Sequence, residues 1–256
     1  MNLQMDISVA DKYKSSSQII RRVTENWMAK NMFCPRCGNY SIEEFENNRP
    51  VADFFCSNCQ NQYELKSSKG KLSKKIEDGA YATMISRITS DINPDFFFLS
   101  YDINSYMVNS LIVVPKHFFT PDIIEARPPL SSTARRAGWI GCKILLNEIP
   151  LQGRISIIDN SVLREKNQVV GDLNKSYSLV TSNLETRGWL MDILKCINLL
   201  PNEYFSIDQM YLFEEVLANK HPNNNNVQAK IRQQLQLLRD KGYVKFLGNG
   251  KYQKLL

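Results

Sequence analysis

The sequence predicts an α/β core carrying a four-cysteine zinc insertion, followed by a smaller C-terminal domain of winged helix-turn-helix type. Three observations carry that expectation. Two Cys-x2-Cys pairs, Cys34/Cys37 and Cys56/Cys59, are separated by 18 residues, the arrangement of paired zinc knuckles. Helical and strand-like periodicities alternate between residues 16 and 114. Beyond residue 183 the pattern changes to three helices and a hairpin. There, residues 220–256 hold eight basic residues against one acidic residue, Asp240.

Taken in order, residues 16–30 read as a helix, with Ile19, Ile20, Val23 and Trp27 at helical spacing. Residues 51–55 and 62–67 read as two short strands joined by the second cysteine pair. Residues 74–89 read as a helix, with Ile76, Ala80, Met84 and Ile88 on one face, and 95–101 and 107–114 as strands ended by Pro115. Residues 120–139 read as a long irregular loop of the kind that is functional or mobile. Residues 154–159 suit another strand, and the polar stretch after it is expected to be irregular as far as residue 183. The expected division is therefore 1–183 and 184–256. In the second part, residues 188–200, 206–218 and 227–241 read as helices, the second capped by Ser206 and the third ended by Gly242. Residues 243–247 and 251–255 then read as a hairpin about Gly248-Asn249-Gly250.

Composition narrows the class. The chain has 256 residues and 43% hydrophobic side chains, enough for one sizeable core or two smaller ones. Its longest apolar run, around Phe96–Leu99, is far short of a membrane span, and residues 1–8 have no secretion-signal character. A cytoplasmic, reducing setting is the default, so the cysteines are metal ligands or packed thiols in preference to disulfides. Cys142 and Cys196 fall in the packed class. The two histidines, His117 and His221, lack the neighbours of an HExxH protease, an HNH nuclease or a His-based triad. Gly70-Lys71 lacks the earlier glycine of a Walker loop.

Cys34, Cys37, Cys56 and Cys59 offer four thiolates and no open coordination position, which points to a structural zinc. Asp53, Glu64 and Lys66 form a second constellation. Ten residues separate the carboxylates, and Glu64 and Lys66 share one strand face. Asp53, Glu64 and the Leu65 carbonyl would make an oxygen site for Mg²⁺, with Lys66 stabilising charge on a phosphorane: a nuclease site. A solvated strand face with an ordinary Glu–Lys pair is the alternative.

Gln228, Lys230, Arg232 and Gln233 lie on or beside the polar face of the third C-terminal helix and suit base edges, while Lys245 and Lys251 on the hairpin suit phosphates. Arg135 and Arg136 beside Trp139 suit nucleic acid as well, although Trp139 could equally serve only to anchor its loop. A non-catalytic zinc-ribbon and winged-helix regulator is the competing class, and a repair nuclease a third.

Four strings, residues 47–54 (NNRPVADF), 78–84 (DGAYATM), 133–142 (TARRAGWIGC) and 230–235 (KIRQQL), resemble the DpnI-type methyl-directed restriction endonucleases. The resemblance runs through nearly the whole chain. It implies a PD-(D/E)xK nuclease domain with a zinc insertion, and a winged helix, both binding methylated DNA. It also implies cleavage of both strands of GATC when adenine carries an N6-methyl group, with Asp53, Glu64 and Lys66 in the nuclease motif and the four cysteines as zinc ligands. Ala52 stands where the wider nuclease pattern has proline, which binds no metal. Double-stranded DNA is the partner implied, with no obligate protein partner and no membrane.

Overall fold

The computed structural model describes residues 1–46, 52–90, 93–181 and 183–255. Its first part is a mixed α/β layer structure. Helix α1 (Ser16–Asn31) buries Val23, Trp27 and Met28 along one side, and the Trp27 indole N–H donates to the Asn2 carbonyl at 2.7 Å. A seven-stranded sheet follows, with spatial order β1 (Glu43–Glu44), β2 (Phe54–Phe55), β3 (Gln62–Lys69), β5 (Asp95–Tyr101), β6 (Val108–Val114), β9 (Ile155–Asp159) and β10 (Val162–Leu163). Every residue of β5 is buried, as its unbroken apolar run requires of a central strand. Its side chains serve two cores. Phe97 and Leu99 join Val23 and Trp27 of α1 and Val169 and Leu173 of α3 (Lys166–Tyr177), while Phe96 and Phe98 face the opposite layer.

That opposite layer contains a small sheet of β4 (Lys75–Ala80), β8 (Gly141–Leu145) and β7 (Ile124–Ala126), with helix α2 (Tyr81–Ile88) continuing directly from β4. It also receives the C-terminal part: α4 (Leu184–Leu199), β11 (Tyr204–Ser206), α5 (Ile207–Tyr211), α6 (Glu214–Lys220), α7 (Val227–Asp240) and the hairpin β12 (Val244–Gly248) and β13 (Lys251–Lys254). Ser206 and Gln209 form a reciprocal capping box at the start of α5. One apolar cluster runs from Ile76 through Phe96 and Trp189 to Leu235 and Tyr252, so the two parts of the chain share a core. Among the described residues no helix is long and apolar enough to cross a membrane.

Several expectations need correction. Residues 74–89 are a strand followed by a helix. Ile76 and Ala80 are four apart, a spacing common to both periods, and the pairing of Lys75–Ala80 with β8 decides for the strand, whose register shifts at Gly79. The loop 120–139 contains β7, which adds a third strand beside β8. The stretch after residue 159 contains α3, whose buried stripe of Val169 and Leu173 is narrow enough to pass for polar loop. The helix expected over 206–218 breaks at Leu212-Phe213 into α5 and α6. Strand β11, which pairs with β13 to make the hairpin a three-stranded sheet, carries no sequence signal beyond its aromatics. Of the strand expected over 51–55, Val51 lies outside the described residues, as do residues 47–50 of the 47–54 string, and only Phe54 and Phe55 form strand, with Asp53 in the bend before them.

Candidate nuclease site and DNA-facing surfaces

The four cysteines form one cluster, their Sγ atoms all within 4.8 Å of one another. Cys34 and Cys59 approach to 3.6 Å, as do Cys37 and Cys56. Thiolates at ~2.3 Å around a tetrahedral ion stand ~3.8 Å apart, so the donor set and spacing fit zinc. The two knuckles repeat one backbone pattern. Cys34 N–H donates to the Asn39 carbonyl and Gly38 N–H to the Cys34 carbonyl, and Cys56, Asn61 and Gln60 repeat those bonds at 2.8–2.9 Å. Gly38 and Gln60 both take positive φ, 75° and 59°, although only the first knuckle uses the residue suited to it. Burial opposes ionisation of Cys37, yet the Asn58 amide and the Asn39 backbone bring its thiol down to about 6; burial pushes Cys59 up to about 11.

The second knuckle delivers the chain into β3. Asn61 donates to the fully buried Asp95 at 2.7 Å, and the same carboxylate receives Tyr177 of α3 and the Lys116 N–H, each at 2.8 Å. Arg36 of the first knuckle stacks on Tyr177 at 3.7 Å. The cysteine cluster is thereby pinned to the strand and helix behind it. His117, neutral because burial drives its imidazole down to about 3, bonds the Ser176 carbonyl and belongs to the same packing.

Strand β2 pairs with β3 only at Gln62 and Tyr63, which leaves the edge of β3 open from Glu64 onward. A cleft of about 480 Å³ lies between that edge and α1, lined by Asp53, Glu64, Leu65, Lys66, Arg21 and Glu25 among others. Asp53 accepts the Leu65 N–H at 2.8 Å, a bond that fixes its carboxylate on the strand edge. Glu64 bonds the Lys66 ammonium at 2.6 Å and also pairs with Arg87 of α2; Lys66 pairs in addition with Asp78 of β4. The structure therefore brings Asp53, Glu64, Leu65 and Lys66 together, as the spacing implied. Burial raises the Asp53 carboxyl above its ordinary value, with the neighbouring Glu64 charge adding to it. Burial likewise raises Glu25 on α1, which Arg21 holds at 2.6 Å while reaching toward Asp53 at 3.8 Å. For Lys66 burial works against the charge, but Glu64 and Asp78 outweigh it and hold the ammonium protonated.

Sequence reasoning missed Asp78, Arg87, Arg21 and Glu25. Only Asp78 stood in a string already singled out, and no local spacing links any of them to Glu64, because they arrive from β4, α2 and α1.

The loop holding Arg135, Arg136 and Trp139 enters β8, whose Cys142 stands opposite Asp78 in the β4–β8 ladder. Leu130 and Trp139 close the loop through two backbone bonds of 3.0 Å involving Leu130, Gly138 and Trp139. The half-buried indole lies on Gly141, where a Cβ would stand 2.8 Å from the ring, and Arg136 caps it at 4.8 Å. Arg135 and Arg136 are exposed. On α7, Val227, Ile231, Leu235 and Leu238 face inward, while Gln228, Arg232 and Gln233 are exposed and Lys230 half-buried. Gln228 bonds Glu214 at 2.7 Å, and Arg232 bonds the Tyr211 hydroxyl. Lys245 and Lys251 are exposed on the hairpin, well separated in sequence from the arginines of the loop.

The Dam-replacing family model, DpnI, matches residues 1–182, and the Dam-replacing HTH domain model matches residues 185–254. The chain belongs to the DpnI family. It is accordingly a DNA-binding nuclease of the methyl-dependent restriction class, which sets aside the non-catalytic regulator. In this DpnI-family chain the match to the helix-turn-helix model spans α7, whose outward face is polar and exposed.

Proposed function

We propose that the chain is a type II methyl-directed restriction endonuclease that hydrolyses both strands of GATC when adenine is N6-methylated, through a PD-(D/E)xK site. One observation carries this reading: Asp53 and Glu64 line the same cleft at an open strand edge, with Lys66 seated 2.6 Å from Glu64. Two crowded carboxylates, one of them raised by burial and by the other's charge, are an oxygen donor set suited to Mg²⁺, and the Leu65 carbonyl lies on the same edge. Bound there, Mg²⁺ would polarise a phosphoryl oxygen. Lys66 would orient the attacking water and stabilise the added charge on phosphorus. Hydrolysis adds that water's oxygen to phosphorus and breaks one bridging P–O bond; one proton ends on the leaving sugar oxygen and the other passes to solvent. Zinc at the four cysteines is structural in this reading, and the cytoplasm is the setting.

The functional division is residues 1–183 for cleavage and 184–256 for winged-helix recognition, each reading the methyl groups. Burying one methyl is worth about 0.8 kcal/mol, and two per palindrome read in both parts give about 3 kcal/mol, on the order of a hundredfold. Trp139 supplies the apolar surface in the first part and the Gln228–Gln233 stretch reads in the second, with Lys230, Arg232, Lys245 and Lys251 on the backbone or base edges.

The test is incubation of purified protein and Mg²⁺ with GATC plasmid, N6-methylated or not. Cleavage of the methylated plasmid alone is expected. Equal cutting of both, or of neither, would overturn the proposal.

A further inference from the structure

A second cavity, of about 390 Å³, lies on the far side of α3 from the cysteine cluster's packing, where β9 and α3 meet the C-terminal part. Its floor includes Ile155 and Tyr243, and its charged lining is Arg154, Arg164, Lys175 and Asp172. Three cations therefore face one carboxylate. Asp172 is already engaged, since Arg164 Nη2 donates to it at 2.8 Å while Nη1 donates to the Ser156 carbonyl at 3.1 Å. Lys175 donates to the Leu255 carbonyl at 3.0 Å and rests over the Tyr243 ring at 4.9 Å.

Arg154 is different. Its guanidinium makes no hydrogen bond or ion pair among the described residues, and its Nε is buried without an acceptor. A half-buried cation with no counter-charge is costly to keep when packing is all that is required. A planar guanidinium beside a second, fixed guanidinium matches the oxygens of a phosphate. The cavity's size falls within the range of small-ligand sites, and its apolar floor with a cationic rim suits a nucleotide as well as a strand of DNA.

We propose that this cavity binds a phosphate group, with Arg154 as its principal ligand and Arg164 and Lys175 completing the charge. The phosphate belongs to a free nucleotide or to the DNA backbone. Because Tyr243 and Leu255 come from the C-terminal part, an occupied cavity would tie that part to β9 and α3. The inference needs only that the protein binds an anion, and stands apart from the cleavage chemistry.

The test uses the full chain and Arg154→Gln, which keeps a polar, hydrogen-bonding side chain without the charge. Melting temperature is measured in inorganic phosphate or deoxyadenosine monophosphate against chloride at matched ionic strength. Affinity for a methylated duplex is measured across a salt series. For a free-nucleotide site, phosphate or the nucleotide stabilises the parent protein, and Arg154→Gln binds it at least tenfold more weakly. For a backbone site, the slope of log K against log salt falls by about one in the variant. In chloride Arg154→Gln should melt no lower than the parent, since it removes an uncompensated charge; a packing role would lower it. Parent-like behaviour in both arms overturns the proposal. Should Arg154→Gln fail to fold, Lys175→Gln at the exposed rim reads the same signals: a weakened phosphate response or salt slope supports the site, and unchanged values overturn it.

Discussion

Asp78 stands directly opposite Cys142 in the β4–β8 ladder, so the strand that leaves the Trp139 loop is bonded to the strand whose carboxylate grips Lys66. The loop proposed to face DNA is thus linked to the lysine through two pairings, Cys142 with Asp78 and Asp78 with Lys66. Asp78→Ala should therefore slow cleavage on the order of ten- to a hundredfold, the cost of misplacing a reacting group by about an ångström. Affinity for methylated duplex should stay within about twofold of the parent. Unaltered cleavage kinetics would show that Glu64 alone positions Lys66.

Asp53→Asn separates activity from stability. A carboxyl whose folded value is raised prefers protonation in the fold, so once ionised at neutral pH it weakens the native state. The amide still offers an oxygen to the Leu65 N–H. Without Mg²⁺, Asp53→Asn should melt higher by roughly a few degrees while cutting no DNA, and Glu25→Gln should also melt higher. The gain should shrink as pH falls, because protonation of the parent carboxyls relieves the same strain. A lower melting temperature for Asp53→Asn would contradict the burial argument.

Cys34→Ser should be a folding lesion of another kind. Zinc binding energy is folding energy, and the knuckles position Asn61 and thus the start of β3. Elemental analysis should find one zinc per chain in the parent and less in the variant, with a broadened, lower melting transition. A parent protein that is folded and active yet contains no zinc would refute the structural-zinc assignment.

Trp139→Ala tests methyl reading, and the shared core makes the full chain the right material for it. The parent's preference for methylated over unmethylated GATC should fall about fourfold for each methyl whose apolar surface is lost. Binding titrations decide it. An unchanged ratio would leave the indole with its anchoring role against Gly141 alone.

Asp192 of α4 accepts from Lys220 at 2.7 Å and His221 at 3.0 Å and lies 3.3 Å from Lys195, whose ammonium also meets Glu148. Burial alone would raise its carboxyl, but the Lys220 and Lys195 ammoniums, with the hydrogen bond from His221, hold it below the ordinary value. The stabilisation is therefore complete above pH about 4 and lost as pH falls through the folded value. Asp192→Ala should cost roughly 3 kcal/mol at neutral pH, with the gap from the parent closing in acid. A gap that persists undiminished in acid would assign the loss to packing.

The parts of the molecule that were readable in the sequence are those whose signal is local. The cysteine pairs, the buried run of β5 and the stripe of α7 each declare themselves within one or two turns or strands. Asp53, Glu64 and Lys66 were readable because a single hairpin carries all three. What escaped depends on distant pairing. Ile76 and Ala80 fit helix and strand alike until β8 selects one. Val169 and Leu173 show their helix only once Trp27 and Phe97 stand opposite them. Arg87 and Glu25 reach the site from helices whose apolar faces say nothing of their polar ones.

The apolar cluster that joins Ile76 to Tyr252 also bears on redesign. A recognition module hung on a linker can be traded for another like a cartridge. Here α4 and α7 supply Trp189, Ile231 and Leu235 to the same apolar cluster that holds Phe96 and Ile144, so a foreign helix-turn-helix grafted after residue 183 would have to rebuild that shared core. New specificity is better sought by varying the outward residues of α7 in place, leaving Trp189, Ile231 and Leu235 untouched.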